Sequence, residues 1–563
     1  MRRFAAGLAL LLAACATAPS GPGFDTVVRG GTIYDGSGGE PYKGDIGLRG
    51  DRIVYVGPRA KGAARSEIDA SGLAVAPGFI NMLSWANEAL IADPRSQSDI
   101  RQGVTLEVMG EGDSMGPWSE EMKRLESKRQ GDIRYPIEWT TLGDYLTHLE
   151  RKGVSTNVAS FVGATTVRIH ELGEGDVDPT PAQLERMRAL VRQAMNEGAM
   201  GVGSSLIYAP AYFAETPELV ALATEAAKCG GMYISHMRDE GPKLLEAIDE
   251  LVAISAQSGA PAEIYHFKQS GKSNWGKVGD AIARVEAARA RGLRITADMY
   301  TYAASSTGLD AAMPLWIQAG GIEAWVARLK DPKQRARALA EMRSGKVSEN
   351  SDLVVREPSK VLLLGFRTAA LKPLTGKTLE EVARERGKTP EETAADLIVE
   401  DGTRIQVAYF SMSEDNVRRE IALPWMSFGS DASSQAPEGV FLKSSTHPRA
   451  YGNFARVLGK FARDDRALTL QEAVRRLAAL PAGNLGLKDR GTLKAGNFAD
   501  LAIFDPATIR DNATFAKPQR YATGMRHVYV NGVQVLRDGE HTGATPGRFV
   551  RGPGWNRCPA AGG

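Results

Sequence analysis

The sequence predicts an α/β protein: a (β/α)8 barrel of the TIM type carrying a small β domain built from both chain ends. Three observations predict it. Eight short apolar runs, rich in β-branched residues, recur through the centre with helical segments between them. Three successive runs end in ionisable residues, His236, His266 and Asp298, at intervals of about 30 residues, the length of one strand-helix-strand unit. Short alternating runs broken by Gly, Asp and Pro flank this centre on both sides, the pattern of antiparallel strands and turns.

In chain order, residues 1–15 have two arginines, an apolar run to Leu12 and then small residues, the form of a secretory signal. Leu12-Ala13-Ala14-Cys15 resembles the lipobox of bacterial lipoproteins, which implies a lipid on Cys15 and a protein held at the cell envelope, facing the periplasm. Residues 16–23 read as a flexible tether. No other run reaches 18 apolar residues, so the lipid is the one membrane attachment expected.

Residues 24–75 form the first part of the β domain, and 481–555 supply the second before a tail at 556–563. The barrel spans 76–480, with candidate strands at 76–84, 103–109, 156–161, 199–204, 232–236, 263–267, 294–298 and 426–430. A ninth candidate, 406–410, leaves the count open. Among the helices, Thr180 and Pro181 open one with Gln183 at the capping-box position. Another places Leu244, Leu245, Ile248, Leu251, Val252 and Ile254 on one face and stops at Gly259. Residues 307–405 break the strand-helix period and read as an insertion over the mouth.

Lysine and arginine number 69 against 67 acidic residues, a net charge of +2 that gives no electrostatic case for nucleic acid. Cys229 closes an apolar helical run and reads as core, while Cys558 lies in a Gly/Pro-rich tail; nothing in their spacing suggests a disulfide framework.

Catalytic groups of α/β barrels gather at the carboxyl ends of the strands, so His236, His266 and Asp298 are expected at one mouth. Alternation along a strand aims Arg238, Lys268 and Tyr300 the same way. One histidine at a strand end is an ordinary structural residue. Two of only seven, at equivalent points of successive units, point to a metal, and zinc is the usual occupant of imidazole sites.

With SHMRDEG from Ser235, HFKQSGKSNWG from His266, ADMYTY from Ala297, FGSDASS from Phe428 and STHPRAYGNFARVLGKFAR from Ser445, the chain resembles the N-acyl-D-amino-acid deacylases (D-aminoacylases) of the amidohydrolase superfamily. The likeness extends from Phe24 to Trp555. It implies that His236 and His266 are zinc ligands, that zinc polarises an amide carbonyl and activates water, and that Asp431 handles the proton. Asp431 also has a plain reading as a turn residue after Gly429 and Ser430. Lys268, Arg238, Tyr300 and Tyr302 become candidates for the substrate carboxylate, with solvated rim positions as the other reading of each.

The likeness fails at two points. Where the family's first strand ends in His-x-His, this chain has Leu83 and Trp85, and where a cysteine follows the second strand it has Glu111 in MGEGDSMGP. Glu111 has two open readings, a turn carboxylate or a zinc ligand in place of the thiolate. The expected protein is a zinc-dependent hydrolase of linear amides, holding one zinc through His236, His266 and Glu111 and acting on N-acyl-D-amino acids or D-configured dipeptides. A barrel that only binds a peptide-like ligand is the alternative.

Overall fold

The computed structural model describes residues 23–558. The signal segment with Cys15, and residues 559–563, lie outside the described residues.

Eight strands form the barrel. They are β1 (Phe79–Asn81), β2 (Val104–Met109), β3 (Asn157–Ser160, continued as Val162–Gly163), β4 (Gly201–Ser205), β5 (Met232–His236), β6 (Ala262–Ile264), β7 (Ile295–Met299) and β8 (Met426–Phe428). All neighbouring pairs recorded among them are parallel. Closure comes from the Met82 amide, which donates to the Phe428 carbonyl at 3.2 Å, and from a parallel bridge between Ser84 and Ala432. A sheet closed in this way has no edge to protect.

The connections follow from the sequence. Thr180 accepts from the Gln183 amide in a capping box and Pro181 opens the helix Pro181–Glu197 between β3 and β4. The helix Leu244–Ser258 between β5 and β6 buries Leu244, Ile248, Leu251 and Ile254 and ends at Gly259, whose φ of 75° suits a residue without a Cβ. Full burial of each such leucine or isoleucine is worth about 1.5–3 kcal/mol, so this face holds the helix on the barrel. Inside the barrel, a Cβ on Gly203 would stand 2.1 Å from the Gly110 carbonyl oxygen; the missing side chain lets β4 close against the end of β2, where Glu111 follows.

The run 76–84 is divided by the fold. Ala74–Pro77 joins the β domain, pairing antiparallel with Leu501–Phe504, and only after the turn at Gly78 does the chain enter the barrel. Phe24–Ile33 lies at the heart of that nine-stranded sheet, antiparallel to Tyr42–Arg49 and parallel to Ala74–Pro77. One core containing Ile33, Ile46, Ile53, Val75, Leu501 and Ile503 therefore joins residues from both ends of the chain.

Gln406–Tyr409 is outside the barrel. It pairs antiparallel with Ser305–Gly308 and Val361–Leu363, and this small sheet covers a separate core including Trp325, Leu339, Leu353 and Ile398. Periodicity could not exclude it, because an apolar run of strand length fits either sheet. The cysteine expectation also needs correction, since Cys229 and Cys558 are disulfide-bonded across 329 residues. The segment after Pro546 returns beneath the barrel, with Val550 donating to Val158 and Gly552 to Gly198, and this brings the tail to Cys229. Sequence spacing carries no trace of that path. No helix among the described residues is long and apolar enough to cross a membrane.

Candidate metal centre and its surroundings

Three side chains from three strand ends meet at the barrel mouth. His236 is the last residue of β5, His266 lies two residues beyond β6, and Glu111 follows β2 after Gly110. Glu111 Oε1 is 2.9 Å from His236 Nδ1 and 2.8 Å from His266 Nε2. All three residues are buried, and one ligand atom from each lies within 4.8 Å of the others. His266 holds φ at 36°, in the left-handed region that non-glycine residues seldom occupy, the kind of strain that clusters at functional sites.

Burial alone would raise the Glu111 carboxyl, but His266 and His236 outweigh it and hold the group far below the usual carboxylate range. Burial and Lys268 pull His266 down, yet Glu240 and Glu111 prevail and raise it to about 10. Two ring nitrogens and a carboxylate oxygen held this close together, out of solvent, form a donor set that a cation could bridge. The donor set fits zinc. Tetrahedral bonds of about 2.0–2.1 Å put neighbouring ligand atoms about 3.3 Å apart, and Glu111 Oε1 already lies 2.9 and 2.8 Å from the two ring nitrogens.

Asp431 follows β8 with φ at 48°, and its amide donates to the Leu83 carbonyl at 2.9 Å. Its Oδ2 is 2.9 Å from Arg449 Nη1, in an ion pair without hydrogen-bond alignment. Burial raises the Asp431 carboxyl despite the opposing charge of Arg449. Arg449 is itself buried, its Nε and Nη1 have no hydrogen-bond partner among the described residues, and its guanidinium lies 4.4 Å from the centre of the Tyr300 ring. Leu83 is fully buried, and Trp85 donates its indole N–H to Glu111 Oε2 at 2.8 Å. One Glu111 oxygen is thereby occupied, and the other is left to the two imidazoles.

The sequence pattern of the amidohydrolase family matches residues 66–536. The chain belongs to this family. It is 34% identical over 535 residues to D-aminoacylase of Alcaligenes xylosoxydans xylosoxydans, covering 94% of this chain and 97% of that one. It also superposes with a TM-score of 0.77 on N-acyl-D-glutamate deacylase of Bordetella bronchiseptica, solved with zinc and a phosphonate inhibitor, at 28% identity over 94% of this chain and 99% of the other. A D-aminoacylase structure described by one-metal activation and second-metal attenuation matches with a TM-score of 0.77, 31% identity and coverage of 93% and 99%. This amidohydrolase is a metal-dependent hydrolase acting on C–N bonds, with a mixed α/β barrel fold and without the first-strand His-x-His pair.

Two expected carboxylate binders of this amidohydrolase sit elsewhere. Arg238 pairs with Glu250 at 2.8 Å and donates to the carbonyls of Tyr212 and Ala214. Tyr302 donates to Asp511 Oδ2 at 3.2 Å, with Arg456 over its ring. Strand alternation aims Arg238 at the mouth, but it lies two residues past the end of β5, where Glu250 and two carbonyls hold it instead; Tyr302, three residues past β7, is expected there only from its phenol donor and is held by Asp511. Lys268 and Tyr300 do lie beside the centre. Lys268 Nζ donates to Glu240 Oε1 at 2.5 Å, and the Tyr300 ring is 6.3 Å from that of His266. Asp298 supports the backbone, its Oδ1 accepting from the His266 amide at 2.9 Å.

Sequence reasoning missed Glu240, Arg449 and the part played by Trp85. The first two stand inside SHMRDEG and STHPRAYG, so the signal was present without a geometry to read it. Trp85 registered only as a lost ligand.

Proposed function

We propose that this amidohydrolase deacylates N-acyl-D-amino acids, or cleaves related D-configured dipeptides, with one zinc ion held by Glu111, His236 and His266. The observation that carries the reading is the buried carboxylate-imidazole-imidazole group together with Asp431 and the buried Arg449, whose Nη1 faces Asp431 and whose Nη2 donates to the Ser306 carbonyl while Nε and Nη1 make no hydrogen bond among the described residues. A buried donor without a hydrogen bond costs about 1–3 kcal/mol, so the unmet Nε and Nη1 donors of Arg449 at a barrel mouth argue for an acceptor supplied by the ligand, here the free carboxylate of an N-acyl amino acid. The D configuration rests on the names of the relatives. A single ion is favoured because Leu83 cannot ligate and Trp85 engages the second Glu111 oxygen.

A zinc ion bound by these residues would supply Lewis acidity toward the amide carbonyl. Asp431 takes a proton from the attacking water and delivers it to the leaving amide nitrogen, whose bond to the carbonyl carbon breaks. Arg449 orients the substrate carboxylate, its guanidinium 4.4 Å from the centre of the Tyr300 ring, and Lys268 Nζ lies 5.6 Å from the same ring as a second cation.

A hydrolysis screen tests the reading, using N-acetyl amino acids of both configurations with chelated and zinc-loaded protein. Turnover of D substrates that requires added metal supports it; no turnover of any amide by loaded protein would favour a barrel that only binds. Arg449→Met is expected to raise KM for free-acid substrates about 10-fold or more, since a hydrogen bond to a charged group is worth about 1.5–3 kcal/mol, and to change little for the carboxamide analogues. Steady-state kinetics on both series decides it, and equal losses would assign Arg449 a structural role.

We also propose that Cys15 is acylated and anchors the protein facing the periplasm. The charged-apolar-small order of residues 1–15 supports this, and so does the Cys229–Cys558 bond, because disulfides persist in oxidising compartments. Cys15→Ser is expected to lose the lipid; mass spectrometry finding an unmodified Cys15, or another mature start, would remove the anchor.

A further inference from the structure

We infer that Glu240 is a positioning residue that fixes the tautomers of both imidazoles at the metal centre, and that Lys268 is the competitor it holds in check. The inference rests on His236 and His266 being ligands. Their inner nitrogens, His236 Nδ1 and His266 Nε2, are the ones that face Glu111. Their outer nitrogens face Glu240. Glu240 Oε1 lies 3.0 Å from His266 Nδ1, and Oε2 of the same carboxylate lies 3.7 Å from His236 Nε2. The two rings stand nearly perpendicular, with centres 4.3 Å apart, so a single carboxylate can reach both.

A neutral imidazole has one N–H and one lone pair. For both inner nitrogens to offer lone pairs, both protons must sit on the outer nitrogens, where a buried N–H needs an acceptor. His236 Nε2 is buried and has no hydrogen-bond partner among the described residues, and the carboxylate oxygen recorded near it is Glu240 Oε2, at 3.7 Å, which makes Glu240 the acceptor we assign to it.

At His266 the choice is contested. Lys268 Nζ is 2.7 Å from Nδ1, and an ammonium can only donate. If Lys268 donated there, the proton would be forced onto Nε2 and an N–H would point at the metal position. Glu240 opposes this by drawing Lys268 onto its own Oε1 at 2.5 Å, and the same oxygen, 3.0 Å from His266 Nδ1, is close enough to take the Nδ1 proton once the ring turns into line. Its backbone is fixed for the purpose, since the Glu240 carbonyl accepts from the Ser270 amide at 2.8 Å. Carboxylates that orient metal-binding histidines are commonly worth 10–100-fold in affinity.

The test uses zinc, chelator competition and nitrogen-15 labelling of the seven histidines in the full chain. Glu240→Gln keeps the shape but replaces one acceptor with a donor, and zinc affinity is expected to fall about 10–100-fold. The double variant Glu240→Gln, Lys268→Met is expected to bind zinc more tightly than Glu240→Gln alone, because the competing donor is gone. A residue that merely filled space would show no such rescue. In zinc-loaded wild type, His266 is expected to carry its proton on Nδ1 and His236 on Nε2, a measurement that needs no variant.

Unchanged affinity in Glu240→Gln, absence of rescue, or the opposite tautomers in wild type would overturn the inference. If zinc loading leaves the resonances of both rings unmoved, the ligand assignment itself fails, and that result is distinct from the others.

Discussion

Asp431→Asn is expected to fold, to bind zinc as the parent does, and to turn over at least about 10³-fold more slowly, within the range that positioned acid-base groups supply. Folding should survive because asparagine tolerates the left-handed backbone that Asp431 adopts at φ 48°, and because the amide of residue 431 can still donate to the Leu83 carbonyl. Metal binding should survive because Asp431 is outside the Glu111, His236 and His266 group. Chemistry should not, since a carboxamide cannot accept the proton of water and return it to the leaving nitrogen. Burial adds a pH signature. It raises the carboxyl above its ordinary value, and a base is lost on protonation, so kcat/KM of the parent should decline with falling pH at a higher pH than an ordinary carboxylate would give. Steady-state kinetics with elemental analysis decides the matter, and a variant keeping a tenth of the parent activity would sink the role.

Glu111→Ala is expected to be purified with little or no zinc and to lose nearly all activity. The substitution removes the one anionic ligand of the group and leaves two imidazoles that repel each other when protonated. It also strands the indole N–H of Trp85, which now donates to Glu111 Oε2 at 2.8 Å. A ligand that binds only the folded state stabilises by about 4 kcal/mol when present at about 1,000 times its Kd. Chelation should therefore lower the Tm of the parent and leave the Tm of the variant unchanged. Elemental analysis and thermal melts with and without chelator give the readout. Full zinc occupancy in Glu111→Ala, or two zinc ions per wild-type chain, would contradict the one-ion arrangement.

How much of this was legible varies from residue to residue. The positions of His236 and His266 followed from the strand-helix period, because that period fixes where a strand ends and a barrel collects its strand ends at one mouth. The helix Pro181–Glu197 was legible down to its capping box, a contact between residues three apart. Leu83 and Trp85 could be recognised as unable to ligate from side-chain chemistry alone. Arg238 and Tyr302 went astray for the complementary reason: each follows a strand end, where direction is set by contacts with Glu250 and with Asp511, residues that local spacing does not bring together.

The sequence by itself determined what is local or periodic: the recurring strand-helix units of a barrel, the β-rich ends, and the residue types capable of holding a metal, while which of nine candidate strands belong to the barrel was left to the fold. Tertiary structure alone decided what depends on distant residues meeting in space. It placed Glu111 against His236 and His266 across 125 and 155 positions, joined Cys229 to Cys558 across 329, and set one Glu240 carboxylate between the outer nitrogens of two histidines. Hydrogen bonds and ion pairs act over a few ångströms of space, and separation along the chain leaves no mark on them.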